Sequence, residues 1–370
     1  MDEAVHARFP PGRREGGPDV IRAWATPALA VGVALLVSCS TTGAAVHSTE
    51  VAVGAPACAT GTAAARQYLE GIAAIGGRYS FTAKEADARR YVTSALEQCG
   101  YPVTTQPFTV RTKQSANVIA VKRGTSASEI IIGAHYDSVD ASHGGADGVD
   151  DNGSGVAVLL DLAARMHATT TPYTIKFIAF GAEEANEMYG SRSFVTQYVS
   201  PELDSCGTSC VDRQNANAPI LAMINLDALA VGDIAYVHGD NNPRAGSLLD
   251  WVTRTGAKGL GLDNNGNGSI DATEQVDTTV PENRLFEDSD YYYFTKVGIT
   301  FLYFEATNWR IGRQDGFTQV DPQYGDGGAI YHTRYDNLRY LDDTFPGRID
   351  ARLALFGDLL ERIVTQYHQS

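Results

Sequence analysis

Four short apolar runs set the fold: Glu129 to Ala134, Ile175 to Phe180, Leu221 to Leu226 and Ile299 to Phe304. Each is β-branched or aromatic-rich. A strand with one wet face alternates apolar and polar residues, so unbroken runs of this kind mark strands buried on both faces. Helical patterns lie around them. From Thr60 to Ala74 the positions Ala64, Tyr68, Leu69, Ile72 and Ala73 keep helical spacing. Ala83 to Cys99 does the same through Ala86, Ala88, Tyr91, Val92, Ala95 and Leu96, with Gly100 placed as a C-cap. Gly155 to His167 is a third such helix. Strands alternating with helices predict the α/β class: a single mixed, mostly parallel β-sheet flanked by helices on both faces. The length of 370 residues suits one large domain or two average ones. With no internal repeat and no second core of domain size, one domain over residues 60–370 with loop insertions is expected.

The first segment reads as an address rather than as fold. Arg13, Arg14 and Arg22 precede an apolar run from Ala23 to Val37, broken by Thr26 and Pro27 and short for a membrane span. It ends in Leu36-Val37-Ser38-Cys39, similar to a bacterial lipoprotein signal. Residues 1–39 are therefore read as a signal peptide of lipoprotein type, with Cys39 as the lipidated first residue of the mature chain. An ordinary signal peptide that discards Cys39 is the alternative, and Asp2, Glu3 and Glu15 leave room for a start further downstream. Residues 40–59 are small and polar, as in a linker. Of the five cysteines, Cys58, Cys99, Cys206 and Cys210 remain once Cys39 is set aside. An even set in an exported protein suggests disulfides, Cys206 with Cys210 as a local pair and Cys58 with Cys99 tying the mature N-terminus to a helix end. A cysteine metal site lacks both a C-x-x-C pair and a neighbouring histidine. The net charge of -15 argues against a nucleic-acid partner, which requires a basic face.

Open α/β sheets bind ligands at the carboxyl ends of their strands. The first run is followed by His135-Tyr136-Asp137, the second by Gly181-Ala182-Glu183-Glu184, the third by Asp227 and the fourth by Glu305, with His332 after a long loop. Each feature alone has an ordinary explanation. A His near an Asp is commonly a plain hydrogen-bonded pair, and Val149-Asp150-Asp151-Asn152-Gly153-Ser154-Gly155 reads as an acidic turn capping a helix. Glu183 and Glu184 would repel each other in one apolar pocket, a conflict a metal ion resolves. Jointly, two imidazoles, three carboxylates and a spare glutamate form the nitrogen and oxygen set that two zinc ions sharing one carboxylate require.

These motifs resemble the co-catalytic di-zinc exopeptidases of the secreted bacterial leucine aminopeptidase type. The matching segments are His135-Tyr136-Asp137-Ser138, Asp151-Asn152-Gly153-Ser154-Gly155, Phe180-Gly181-Ala182-Glu183-Glu184 with Tyr189-Gly190-Ser191, Asn225-Leu226-Asp227, Ser289-Asp290-Tyr291 and Tyr331-His332-Thr333. The likeness runs from Tyr68 onward. It implies that His135 and Asp227 hold one zinc, that Glu184 and His332 hold the other, and that Asp151 bridges them. It also implies Glu183 as general base and acid, Tyr331 as a group polarising the scissile carbonyl, and a cis peptide at Asp151-Asn152. The implied reaction is removal of the first residue from peptides with a free N-terminus, by a water shared between two zinc ions and deprotonated by Glu183 to hydroxide. A monomer is expected. The alternatives are a single-zinc glutaminyl cyclase-like enzyme, a related zinc carboxypeptidase or dipeptidase, or a binding module that has lost catalysis.

A second metal site is expected in the insertion 263–274. Asp263, Asn265, Asn267, the Ser269 carbonyl, Asp271 and Glu274 stand at the ligand positions of an EF-hand loop, with Gly268 at its sharp turn and Ile270 as its inward apolar residue. An Asn/Gly-rich surface loop is the alternative. Pro281 leaves space for only a short exiting helix, so one structural Ca2+ is expected rather than a sensor.

Overall fold

A computed structural model describes residues 54–139, 146–185, 187–201, 219–239, 248–260, 289–314 and 316–368. All of them belong to the unit Val51–Ser370. Its centre is a seven-stranded mixed sheet in the order β1-β2-β4-β3-β5-β7-β6. The strands are β1 Val103–Val110, β2 Lys113–Lys122, β3 Ser126–His135, β4 Tyr173–Phe180, β5 Ile220–Leu226, β6 Ile234–Gly239 and β7 Phe301–Thr307. The four apolar runs become the parallel centre β4-β3-β5-β7, where Ile132 lies level with Phe177 on one side and Ile224 on the other. β2 and β6 run antiparallel to this centre.

The alternation of side chains along β3 explains why its run is unbroken. Ile130 and Ile132 enter a core shared with helices α1 Thr62–Ala73, α2 Ala83–Gln98 and α3 Gly155–Met166. Ile131 enters a second core on the other face, with Phe194 of α4 Tyr189–Phe194 and Phe294 of α5 Tyr292–Lys296. The expected helices thus form close to their expected bounds. Three strands and the C-terminal helices α6 Leu338–Thr344 and α7 Arg348–Gln366 extend the sequence-based picture. β1 carries exposed Thr104, Thr105 and Pro107, the pattern of an edge strand rather than of a buried run. Among the described residues no helix is long and apolar enough to cross a membrane.

Cys58 and Cys99 are joined by a disulfide, Cα atoms 4.8 Å apart, which ties the segment before α1 to the end of α2. The pair Cys206 and Cys210, the segment 1–53 with Cys39, and the loop 263–274 lie outside the described residues. Closing a loop across 41 positions removes unfolded-state entropy corresponding to about 4 kcal/mol. In a domain of this size that is about 6 °C in Tm. Cys58→Ser is expected to lower Tm by that amount in differential scanning calorimetry, and an unchanged Tm would mean that the bridge does not form in solution.

Candidate metal centre

The sheet delivers the candidate ligands by ending its strands in tight, costly turns. His135 is the last residue of β3, Glu183 and Glu184 follow β4, and Asp227 follows β5. Ala182, Ala228 and His332 adopt positive φ of 54°, 51° and 59°. Such conformations cost a non-glycine residue about 1–2 kcal/mol each, and they persist only where the surroundings over-determine them. Asp137 supplies part of that determination. Its carboxylate accepts the backbone N–H of Glu183 and of Glu184, both at 3.1 Å, and the Ser80 hydroxyl at 2.6 Å. Asp137 also stands 3.6 Å from His135 Nδ1, too far for a hydrogen bond but placed to orient the ring.

Asp151 sits where the two imidazoles converge. Its Oδ1 is 3.2 Å from His135 Nε2, and its Oδ2 is 2.9 Å from His332 Nε2. Asp227 Oδ1 lies 3.3 Å from the same nitrogen of His135, and Glu184 Oε2 lies 3.4 Å from that of His332. Ligand atoms of His135, Asp151 and Asp227 all fall within 4.8 Å of one another, as do those of Asp151, Glu184 and His332. Glu183 joins a third such group with His135 and Glu184. The structure thus brings together all six residues, and the peptide between Asp151 and Asn152 is cis. The Tyr331 ring stands edge-on to His332, 5.0 Å between centroids.

The segment Val149–Ser154 owes its path to side chains. Asn152 donates to Leu226 O at 2.7 Å and accepts from Gly155 N at 3.0 Å. Residue 155 must be glycine, because a Cβ there would lie 2.2 Å from Asn152 Oδ1 and 2.7 Å from Leu226 O. Asp336 accepts the N–H groups of Asp150 and Asp151, at 2.6 and 3.1 Å. The fully buried Gln319 donates to Asp150 Oδ2 and accepts from Ile330 N and Tyr331 N, joining the Asp151 segment to the His332 loop. The fully buried Arg78 donates to the carbonyls of Tyr136, Asp147 and Gly148, which spans the end of β3 and the approach to Asp151. Ser289 donates to Asp227 Oδ2 at 2.7 Å and accepts from Asn225.

The charges do not balance without a cation. Burial pushes the Glu184 and Asp290 carboxyls up to about 7, with Asp151 adding at Glu184 and Asp227 at Asp290. Burial likewise drives Glu183 well above the usual range against His135, with Glu184 and Asp290 adding. Burial alone would also raise Asp151, but His135 and His332 hold it well below the carboxylate range. Glu184 Oε1 is buried and accepts no hydrogen bond among the described residues. A sealed acceptor beside converging carboxylates and two imidazoles fits a divalent cation, and the mixed nitrogen and oxygen donors fit zinc.

The sequence profile of peptidase family M28 matches residues 117–356. The chain belongs to this family. It is 30% identical over 305 residues to the alkaline phosphatase isozyme conversion protein of Escherichia coli (strain K12), covering 75% of this chain and 81% of that protein. It is 29% identical over 288 residues to the probable lipoprotein aminopeptidase LpqL of Mycobacterium tuberculosis, covering 72% of this chain and about half, 51%, of that relative. Its fold matches BSAP, a zinc aminopeptidase from Bacillus subtilis, with a TM-score of 0.59 at 16% identity, over 85% of this chain and 98% of that one. The protein is accordingly a metallo-exopeptidase of family M28.

Several contributors to this M28 site have no signal in the sequence. Arg78 and Gln319 lie outside every recognisable motif, and their roles come from contacts to backbone groups and, for Gln319, to the Asp150 carboxylate as well. Ser289 stands in a recognisable segment, which gives no indication that its hydroxyl serves Asp227. Partners of ligand side chains typically contribute 10–100-fold to metal affinity. Ser289→Ala is therefore expected to weaken zinc retention about 10-fold in competition with a chromophoric chelator, and unaltered retention would remove Ser289 from the site.

Proposed function

We propose that this chain is an exported aminopeptidase that holds two zinc ions and removes the first residue of peptides with a free N-terminus. The observation that carries the reading is the placement of Asp151, whose two oxygens face His135 and His332 separately. His135, Asp151 and Asp227 would hold one ion, and Asp151, Glu184 and His332 the other. When bound, such ions lower the pKa of a water toward neutrality and polarise a carbonyl. Glu183 is the residue that moves the proton. Burial beside Glu184 and Asp290 raises its affinity for a proton, so its carboxylate can take one from the attacking water and return it to the leaving amine. Asp137 fixes the backbone of Glu183 and thereby the reach of that carboxyl. Tyr331 is proposed as a further contact to the scissile carbonyl, on the strength of its position against His332.

The two ligand groups that share Asp151 favour this reading over a single-zinc cyclase, and metal analysis separates them at about two ions per chain against one. Glu183→Gln is expected to keep its zinc and to lose kcat by about 10²–10⁴-fold on amino-acid anilides. Near-normal turnover in that variant would dismiss Glu183 as the base.

The catalytic domain is assigned to residues 60–370, with residues 1–39 as a lipoprotein-type signal and Cys39 as the anchor. The enzyme is taken to act as a monomer. The loop 263–274 is assigned one structural Ca2+ through Asp263, Asn265, Asn267, Ser269, Asp271 and Glu274. A calcium-selective chelator is expected to lower Tm while leaving zinc bound, and an unshifted melting curve would argue against the calcium site.

A further inference from the structure

A groove of about 340 Å³ lies between the edge strand β1 and α4, within the size range of small-ligand clefts. Phe108 and Val110 stand on one wall. Tyr189, Arg192, Ser193 and Thr196, at helical spacing, form the other. Both walls are keyed to the turn that carries Glu183 and Glu184. Tyr189 N–H donates to Ala182 O at 3.2 Å, and Met188 N–H to Glu183 O at 3.3 Å. Asn117 of β2 accepts from Gly181 N at 3.2 Å and donates to Gly190 O at 2.8 Å. On the β1 side, Phe108 pairs with Ser115, three residues beyond the level at which β2 pairs Val118 with Ala179. The hairpin therefore reaches about 10 Å past that level, and a Cβ on Gly181 would lie 2.5 Å from Ser115 Oγ.

The groove has a limited length. Away from the Glu183 turn, Gln106 Nε2 donates to Gln197 Oε1 at 3.3 Å and links the two walls. The stretch from Tyr189 to Thr196 rises about 10 Å along a helix, a distance an extended chain covers in about three residues. The charge beside the groove is opposite to that of the metal centre and of the whole chain, which carries -15. Arg192 lines it. Arg111 follows Val110, and Lys113 pairs with Val110 across the hairpin, both exposed. Arg192 Nη1 holds Glu187 at 2.7 Å, with side chains 34% and 52% exposed. A solvated pair of this kind is worth at most about 1 kcal/mol, so another carboxylate can take the place of Glu187.

Resting on the aminopeptidase reading above, we propose that this groove receives the leaving part of a short peptide and that Arg192 binds its C-terminal carboxylate. The carboxylate-rich centre takes the positive amino end, and the basic groove takes the negative carboxyl end. Tyr189 and Phe108 give the intervening residues an apolar bed, and the link between Gln106 and Gln197 suits a ligand that stops there. The substrate class is thus peptides of about three to four residues, free at both ends.

Acetyl-trialanine, blocked against aminopeptidase turnover, and its C-terminal amide test the groove by calorimetric titration of the zinc-loaded protein. The acid is expected to bind about 10-fold more tightly than the amide, the contribution of one charge-assisted hydrogen bond. Leucyl-dialanine and its amide should show the same ratio in kcat/KM. An eight-residue peptide and its amide should show none, because that carboxylate lies beyond the groove. Arg192→Gln should erase the ratio in both measurements. Equal affinities for acid and amide, a ratio that persists in the eight-residue pair, or one that survives Arg192→Gln would overturn the assignment. A protein that tells acid from amide yet hydrolyses no free peptide would instead overturn the peptidase reading and leave the carboxylate groove standing.

Discussion

The constraint on which the rest depends is the concentration of negative charge at the carboxyl edge of one sheet. Asp137, Asp150, Asp151, Asp227, Asp290 and Asp336 are all buried there, and Glu183 and Glu184 stand beside them. Gathering so many carboxylates away from water costs several kcal/mol per uncompensated ion. The fold meets part of that cost with fixed donors. Backbone N–H groups point at Asp137 and Asp336, the Ser289 hydroxyl at Asp227, and the Gln319 amide at Asp150. What the donors leave unsatisfied is the demand for a cation between His135 and His332.

The apolar layers place those donors. β3 can be apolar on both sides because helices α1 to α3 cover one face and α4 and α5 cover the other. A strand sealed in that way ends at a fixed height, so the residue after it leaves the sheet at a fixed place. Three neighbouring parallel strands ending level with one another put a histidine, a pair of glutamates and an aspartate within a few ångströms. Turns with positive φ at Ala182 and Ala228 then swing the acids inward. The strain is local, and the two packed cores hold it in place.

Much of this was legible in the sequence, for identifiable reasons. The central strands were visible because burial on both faces writes an unbroken apolar run. His135, Glu183, Glu184 and Asp227 were visible because they follow those runs directly, and Asp151 and His332 because their segments resemble a known motif set. β1 was not, since Thr104, Thr105 and Pro107 give an edge strand no distinctive hydrophobic signature. α7 was legible in principle, with Ile349, Leu353, Phe356, Leu360 and Ile363 at helical spacing. Arg78 and Gln319 could not be read at all, because Arg78 and one end of Gln319 hold backbone groups, which carry no sequence, and the other end of Gln319 meets Asp150 across 169 positions.

Gln319 has a consequence of its own. A primary amide presents a donor and an acceptor a fixed distance apart, and here one end holds Asp150 while the other holds the peptide N–H groups leading to His332. It works as a ruler, setting the gap between the halves of the cradle before any ion arrives. A glutamate would oppose a second acid, and an asparagine would fall one methylene short. The dimensions of the cavity are thus written into a neutral side chain that takes no part in the reaction.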